Sequence, residues 1–330
     1  MKVKSINLPE NYSSISSSTT HGYVLLKVDE KDSVAQTAFV DKEFNILNKI
    51  KFDNYKRHQY KLVVNPNDTG RVGYLYLENN LIFFNINGVE VKRFEDKCVA
   101  AGFDSLNRLY IAERIDSDNL EIFVYDRDYN IITSSKIEDP IYESYVNFEY
   151  YPRINTMFLS LAGGQDGSCS YIVNIIDNRI ILKDFLEGTA FVETDKNNEH
   201  FLCIDPYEST ANYYTYPDLK LISTFDYYDY FEDGDITYII VYLTDQLYLV
   251  AFDGRIYIYD ASKTEIIEEI IIERHEAQPI NVFYPNLKEG GIMTDIVSAQ
   301  RFNDIIGFTT IGNKGFFIKV DDIIKQLEVK

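Results

Sequence analysis

The chain has 330 residues, 45% of them apolar, and a formal net charge of -20. That length holds one large domain or two ordinary ones, with enough apolar residues for a sizeable core. The charge excludes a nucleic-acid binder that tracks phosphates, which needs Lys and Arg along the backbone, and a protein held to an anionic membrane surface.

The 27 Tyr and 21 Phe, with no Trp, lean toward an all-β fold, because aromatic and β-branched residues suit a pleated, half-buried surface. The first 18 residues lack the apolar centre of a signal peptide, and no run approaches the roughly 18 apolar residues of a spanning helix. Cys98, Cys169 and Cys203 are odd in number and widely spaced, so a cytoplasmic chain with reduced, mostly buried thiols is expected.

One phrase recurs along the chain: an apolar strand, a short polar turn, then a second apolar strand. It runs through Val34–Ile50, Leu81–Phe94, Leu120–Ile137, Ser170–Phe185, Ala211–Phe225 and Arg255–Ile270, and in weaker form Lys314–Val329. The step is about 40–48 residues, the span of a four-stranded propeller blade. The cleanest copy is Gln246–Ile272, where Asp253-Gly254 turns one strand into the next, since both residues tolerate positive φ.

Each phrase is preceded by another strand, such as Arg108–Ile111, His200–Ile204 or Gln246–Phe252. A fourth run comes before that, as in Tyr60–Val64, Tyr145–Phe148 and Ile236–Leu243. Four strands per repeat and seven repeats predict a seven-bladed β-propeller of four-stranded antiparallel blades in one domain, 1–330. The blades run roughly over 10–52, 53–94, 95–137, 138–185, 186–225, 226–272 and 273–330, with 1–9 available to complete the last.

Two stretches carry helical spacing. Ile266, Ile267, Ile270 and Ile271 fall where six other copies place a strand, so a strand is expected there. Ile323, Ile324 and Leu327 leave strand and helix both open. If that segment is helical, Lys2–Leu8 supplies the outer strand of the last blade and protects an otherwise open edge.

The phrase with Asp before its polar turn, as in VYDRDYNII and IYDASKTEII, resembles bacterial WD40-like and YVTN-type seven-bladed propellers over nearly the whole chain. The Trp-Asp dipeptide and the Gly-His pair of true WD40 repeats are missing. The resemblance therefore implies an architecture, one that most often serves as a binding platform and sometimes hosts an enzyme.

The strand map sorts the loops to two ends. One end, the top, takes the inter-blade segments Asp53–His58, Glu95–Lys97, Glu138–Glu143, Asp184–Glu187, Asp226–Asp235 and Glu273–Glu289. It also takes the turns at Asp29–Asp32, Glu78, Glu113–Asp118, Asp166, Asp205–Glu208 and Asp253. These segments hold about 27 of the 52 acids and about 7 of the 32 bases, a one-signed field that steers an oppositely charged partner. Within them, Phe225–Asp235 interleaves Tyr227, Tyr228, Tyr230 and Phe231 with Asp226, Asp229, Glu232, Asp233 and Asp235. Tyrosine brings large contact area at low entropic cost, and neighbouring carboxylates take Lys or Arg. Against this stands the plain reading, aromatics tucked between blades beside solvated acids. The insertion Glu273–Gly291, with Pro279, Tyr284 and Pro285, is a second binding rim or an ordered cover.

Little else points to chemistry. His21, His58, His200 and His275 are scattered without metal-ligand spacing. The acidic loop lacks the order of a calcium loop, so no cofactor is expected, with calcium held by its carboxylates through water as the alternative. The Gly-rich Ala162–Ser170 lacks a Lys-Ser/Thr ending and sits between strands, and Cys169 has no helix N-terminus or nearby His to activate it.

The sequence thus reads as a monomeric, cytoplasmic, non-enzymatic protein-interaction module. Its top face, through Tyr227, Tyr228, Asp229, Tyr230, Glu232 and Asp233, binds a basic protein, for instance as an immunity-type antitoxin. The alternative is a propeller hydrolase or lactonase with a metal held by Glu113, Asp166, Asp205 and Asp235 at the channel mouth.

Overall fold

The apolar runs form antiparallel strands at the registers the repeat requires. The structure is a computed structural model. It describes all residues except 30–33, 54–59, 66–70, 77–79, 86, 88, 96, 117–118, 139–144, 152–154, 163–167, 186–190, 195–198, 206–209, 228–235, 253, 289 and 329–330. The chain divides into two compact units, Ser16–Gly188 and the pair Met1–Ile15 with Thr189–Lys330.

The first unit, with Ser14 and Ile15 opening its first strand, carries four four-stranded sheets, each built in chain order. Sheet one is Ser14–Ser18, Gly22–Asp29, Val34–Asp41 and Ile46–Asp53. Sheet two is Tyr60–Val64, Arg71–Tyr76, Leu81–Asn85 and Glu90–Phe94. Sheet three is Cys98–Phe103, Leu109–Arg114, Asn119–Tyr125 and Ile131–Glu138. Sheet four is Tyr145–Tyr151, Thr156–Ala162, Ser168–Ile176 and Arg179–Asp184.

Successive sheets pack face to face. Val24, Phe39 and Ile50 of sheet one meet Leu62, Val64 and Phe84 of sheet two. Val63, Leu81 and Phe83 meet Cys98, Leu109 and Ile111 of sheet three, and Tyr110, Ala112, Ile122 and Val124 meet Phe148, Leu159, Leu161 and Val173 of sheet four. The first strands of sheets two, three and four lie side by side.

The second unit carries sheet five, Phe191–Thr194, His200–Asp205, Thr210–Thr215 and Leu221–Asp226. Sheet six is Ile236–Thr244, Leu247–Phe252, Arg255–Asp260 and Glu265–Ile272, with Lys2–Val3 added as a parallel fifth strand. Sheet seven is Ile296–Phe302, Ile305–Thr310 and Gly315–Lys319, and its fourth strand is Ile6–Asn7, paired antiparallel to Gly315–Lys319. The segment left open above is a helix, Val320–Glu328, with Ile323 fully buried. The outer position of sheet seven therefore falls to the N-terminal segment, the arrangement expected for that case.

Burial follows position in the sheet. The middle strands Leu247–Phe252 and Arg255–Asp260 are buried at every position after their first, because sheets cover them on both faces. The last strands alternate or lie open, as Glu90–Phe94 and Leu221–Asp226 do. This explains continuous apolar runs in the middle of each repeat and mixed ones at its end.

Candidate functional site

At one end of the sheets, acids cap turns. Where the third strand turns into the fourth, the side chain that closes the third strand caps the turn. Asp41 Oδ1 accepts from the amides of Glu43 and Asn45 at 3.0 and 2.8 Å, and Asp126 Oδ1 from those of Asp128 and Asn130 at 2.9 and 2.8 Å. Asn85 holds Asn87 and Val89 in the same way, and Asp260 holds Ser262 and Lys263. Thr215 uses a hydroxyl for the same purpose, and in sheet seven Thr310 does so where the second strand turns into the third.

These bonds offset the cost of the left-handed residue that each turn requires, Phe44, Tyr129, Leu219, Thr264 or Asn313, all at positive φ. The Asp of the recurring phrase is therefore a turn acceptor. Donation from Asn45 and Asn130 lowers the carboxyl pKa of Asp41 and Asp126. At Asp260 burial pushes the other way, but bonds from Ser262 and Lys263 outweigh it. Asp104 repeats the pattern between a first and a second strand. It takes the amides of Leu106 and Arg108, Arg108 Nε at 2.6 Å and the Tyr110 hydroxyl at 3.1 Å, while 3% exposed.

The opposite end carries the proposed docking loop. It joins Leu221–Asp226 to Ile236–Thr244, where the strand map put it. Tyr227 is fully buried, its ring stacked on Phe252 at 5.0 Å and packed in a cluster with Phe225, Tyr242, Tyr248 and Tyr259. Its ring is thus core, the plain reading of the aromatics, and it fixes where the loop leaves the sheet. Tyr228, Asp229, Tyr230, Glu232 and Asp233 lie outside the described residues, as do Phe231, Asp166 and Asp235.

Of the four carboxylates named for a metal, Asp205 ends the strand His200–Asp205 and Glu113 lies in Leu109–Arg114. Glu113 sits opposite Cys98 on one neighbour and Glu121 on the other. Burial raises its pKa, with Lys97 opposing and Glu121 adding. Among the described residues no three His, Cys, Asp or Glu side chains gather as a metal site. Cys98, Cys169 and Cys203 stand outside any disulfide, and burial pushes the Cys98 thiol far up, which leaves it unreactive. Ala162 and Ser168 are paired ends of adjacent strands, so the Gly-rich stretch links strands as expected.

Two arrangements escaped the sequence. Lys61 of sheet two donates to Asn147 of sheet four across the first strand of sheet three, with Glu149 nearby. Both charged groups keep solvent contact but are ringed by protein. That surrounding pushes the Lys61 ammonium down to about 8 against the pull of Glu149, and raises Glu149 against donation from Tyr151 and the charge of Lys61.

The second arrangement belongs to the insertion. Gln278–Pro279 and Ile292–Met293 pair as a short ribbon, an ordered fold for the segment. The ribbon rests on Gly254 so closely that a Cβ there would stand 2.1 Å from the Ile292 carbonyl oxygen. Beside it His275 Nδ1 meets Asp295 at 2.9 Å and the imidazole stacks on Phe316 at 3.9 Å. Both arrangements join residues far apart in sequence, 86 residues for Lys61 with Asn147 and 20 for His275 with Asp295, so no local spacing announces them.

No family model matches the chain, and no curated protein matches it. Among solved structures, the β-propeller domain of Cps50 (Swd1) from Myceliophteria thermophila is similar with a TM-score of 0.59 at 8% identity, over 95% of this chain and 98% of that one. That likeness carries the fold alone: the chain has a WD40-like β-propeller fold. Among the described residues no helix is long and apolar enough to cross a membrane.

Proposed function

We propose that the sheets are the blades of one seven-bladed β-propeller over residues 1–330, and that it is a protein-interaction module whose acidic, tyrosine-rich top end binds a basic protein. One observation carries this reading. Asp41, Asp104, Asp126 and Asp260 spend their oxygens on backbone and neighbouring donors at the other end of their sheets. These carboxylates keep their charge but serve the turns, whereas the loops assigned to the top end hold about 27 of the 52 acids and only about 7 of the 32 bases, and Leu221–Asp226 and Ile236–Thr244 flank the tyrosine-rich loop as the sequence map has it. A field of one sign raises the on-rate of a partner of opposite sign and weakens with salt.

In this reading Tyr228, Asp229, Tyr230, Glu232 and Asp233 meet the partner, and buried Tyr227 anchors the loop that carries them. The test is capture of partners from the native host at low and high salt, by wild type and by a variant with Tyr228, Asp229, Tyr230 and Asp233 changed to Ala. A basic protein held by wild type, released by salt and lost in the variant supports the proposal. A partner indifferent to the four changes overturns it.

A further inference from the structure

Lys61 is set for a chemistry that the docking loop does not use. It extends from the first strand of sheet two, across the first strand of sheet three, and donates to Asn147 on sheet four. The strand it crosses, Cys98–Phe103, holds only small or apolar residues, so no charged side chain on it pairs with the amine. Asn147 and Glu149 flank the buried Phe148 and so lie together on the other side of their strand. Glu149 accepts from the Tyr151 hydroxyl and supplies the counter-charge to the amine. Lys61 and Glu149 are both exposed, so a small molecule reaches them although protein surrounds the pair.

Those surroundings favour the neutral amine. With its pKa pushed down to about 8, about a tenth of Lys61 is unprotonated at pH 7, against roughly one part in three thousand for an ordinary lysine. An unprotonated lysine amine is a nucleophile toward a carbonyl carbon. Glu149 decides which carbonyl suits the site. Addition of CO2 or transfer of an acyl group replaces the ammonium by an anion or a neutral amide and strips Glu149 of its counter-charge. Condensation with an aldehyde keeps the positive charge as an iminium. A neutral aldehyde adds no charge of its own, whereas a carboxylate on the aldehyde is repelled by Glu149.

We infer that Lys61 forms a reversible iminium with small neutral aldehydes, its charge balanced by Glu149. Nζ bonds to the carbonyl carbon, the carbon–oxygen bond breaks, and the oxygen leaves as water with two of the three ammonium protons. The aldehyde and the ammonium thus give one iminium and one water, with no oxidant or reductant. The inference does not depend on the loop proposed to bind a protein.

The test exposes the full chain at pH 7 to limiting propanal or glyoxylate with cyanoborohydride, which reduces an iminium to a stable secondary amine. Peptide mass spectrometry then reads each lysine, with Lys42, exposed on a turn, as the internal reference. The expected result is labelling of Lys61 by propanal about tenfold or more faster than Lys42 in the folded chain, and at about the same rate in urea. Propanal is favoured over glyoxylate at Lys61 when the same ratio at Lys42 is divided out, and Glu149→Gln removes that preference. Should Glu149→Gln fail to fold, Tyr151→Phe, which takes away the bond that keeps Glu149 ionised, is read in its place. Lys61 no faster than Lys42, an excess that persists in urea, a preference for glyoxylate at Lys61, or a preference for propanal that the variant leaves unchanged overturns the inference.

Discussion

Replacing Asp104 tests whether the turn acceptors hold the sheets together or merely decorate their ends. In Asp104→Ala four donors lose their acceptor. The two turn amides and the Arg108 side chain, 28% exposed, regain water at little cost, but the Tyr110 hydroxyl is on a residue only 2% exposed. An orphaned buried hydroxyl costs about 1–3 kcal/mol, and the lost ion pair and turn cap bring the expected destabilisation to about 3 kcal/mol. Tyr110→Phe alone, which leaves Asp104 its other donors, costs about 1 kcal/mol. In the Asp104→Ala background the same change removes the orphan and becomes neutral or stabilising, a coupling of about 1–2 kcal/mol. Urea unfolding followed by circular dichroism reads all four proteins. If Tyr110→Phe costs as much in the Asp104→Ala background as in wild type, the hydroxyl is satisfied elsewhere and the reasoning fails.

Other sites give sharper local tests. Gly254→Ala forces a side chain onto a residue at φ 64° and against the Ile292 carbonyl oxygen, so thermal unfolding should show a loss of about 2 kcal/mol or more. Lys61, with its amine pushed down to about 8, should titrate first among the lysines in an NMR series on reductively ¹³C-methylated protein. Because its native value lies below the unfolded one, stability tied to it rises with pH between about 8 and 10.5, and Lys61→Met removes that rise. Asp41 and Asp126 have lowered native values, so their contribution is present above about pH 4 and is lost as pH falls through the native value. Asp126→Asn, copying the amide that Asn85 uses in the same turn, should flatten that acid limb in pH-dependent urea midpoints.

The strands were readable because each repeat states its structure locally. Arg255–Asp260 carries an unbroken run of isoleucine and tyrosine from Ile256 to Tyr259, ends in an Asp that caps the next turn, and is met by a run that pairs with it from Ile256↔Ile270 to Asp260↔Glu265. The helical spacing of Ile266, Ile267, Ile270 and Ile271 misleads only in isolation, since strand partners on both sides settle the segment as Glu265–Ile272. Val320–Glu328 shows the converse. Its pattern allowed a strand, but Ile6–Asn7 occupies the neighbouring edge, and the segment buries Ile323 as a helix instead.

Tyr227 marks where the local reading ran out. An aromatic in an acidic loop looks available for binding, and only the position of Phe252 on another strand reveals that it is packed away. The packing on Gly254 is equally hidden, because Ile292 meets it only once the ribbon folds back beside sheet six.

The most direct measurement of the docking claim is zero-length carbodiimide crosslinking of the chain to a captured partner, followed by peptide mass spectrometry. This chemistry joins carboxylates to amines in contact. The account predicts crosslinks from partner lysines to the peptide spanning Asp229, Glu232 and Asp233. Crosslinks confined to the other end of the sheets, at Glu43 or Asp128, would contradict it.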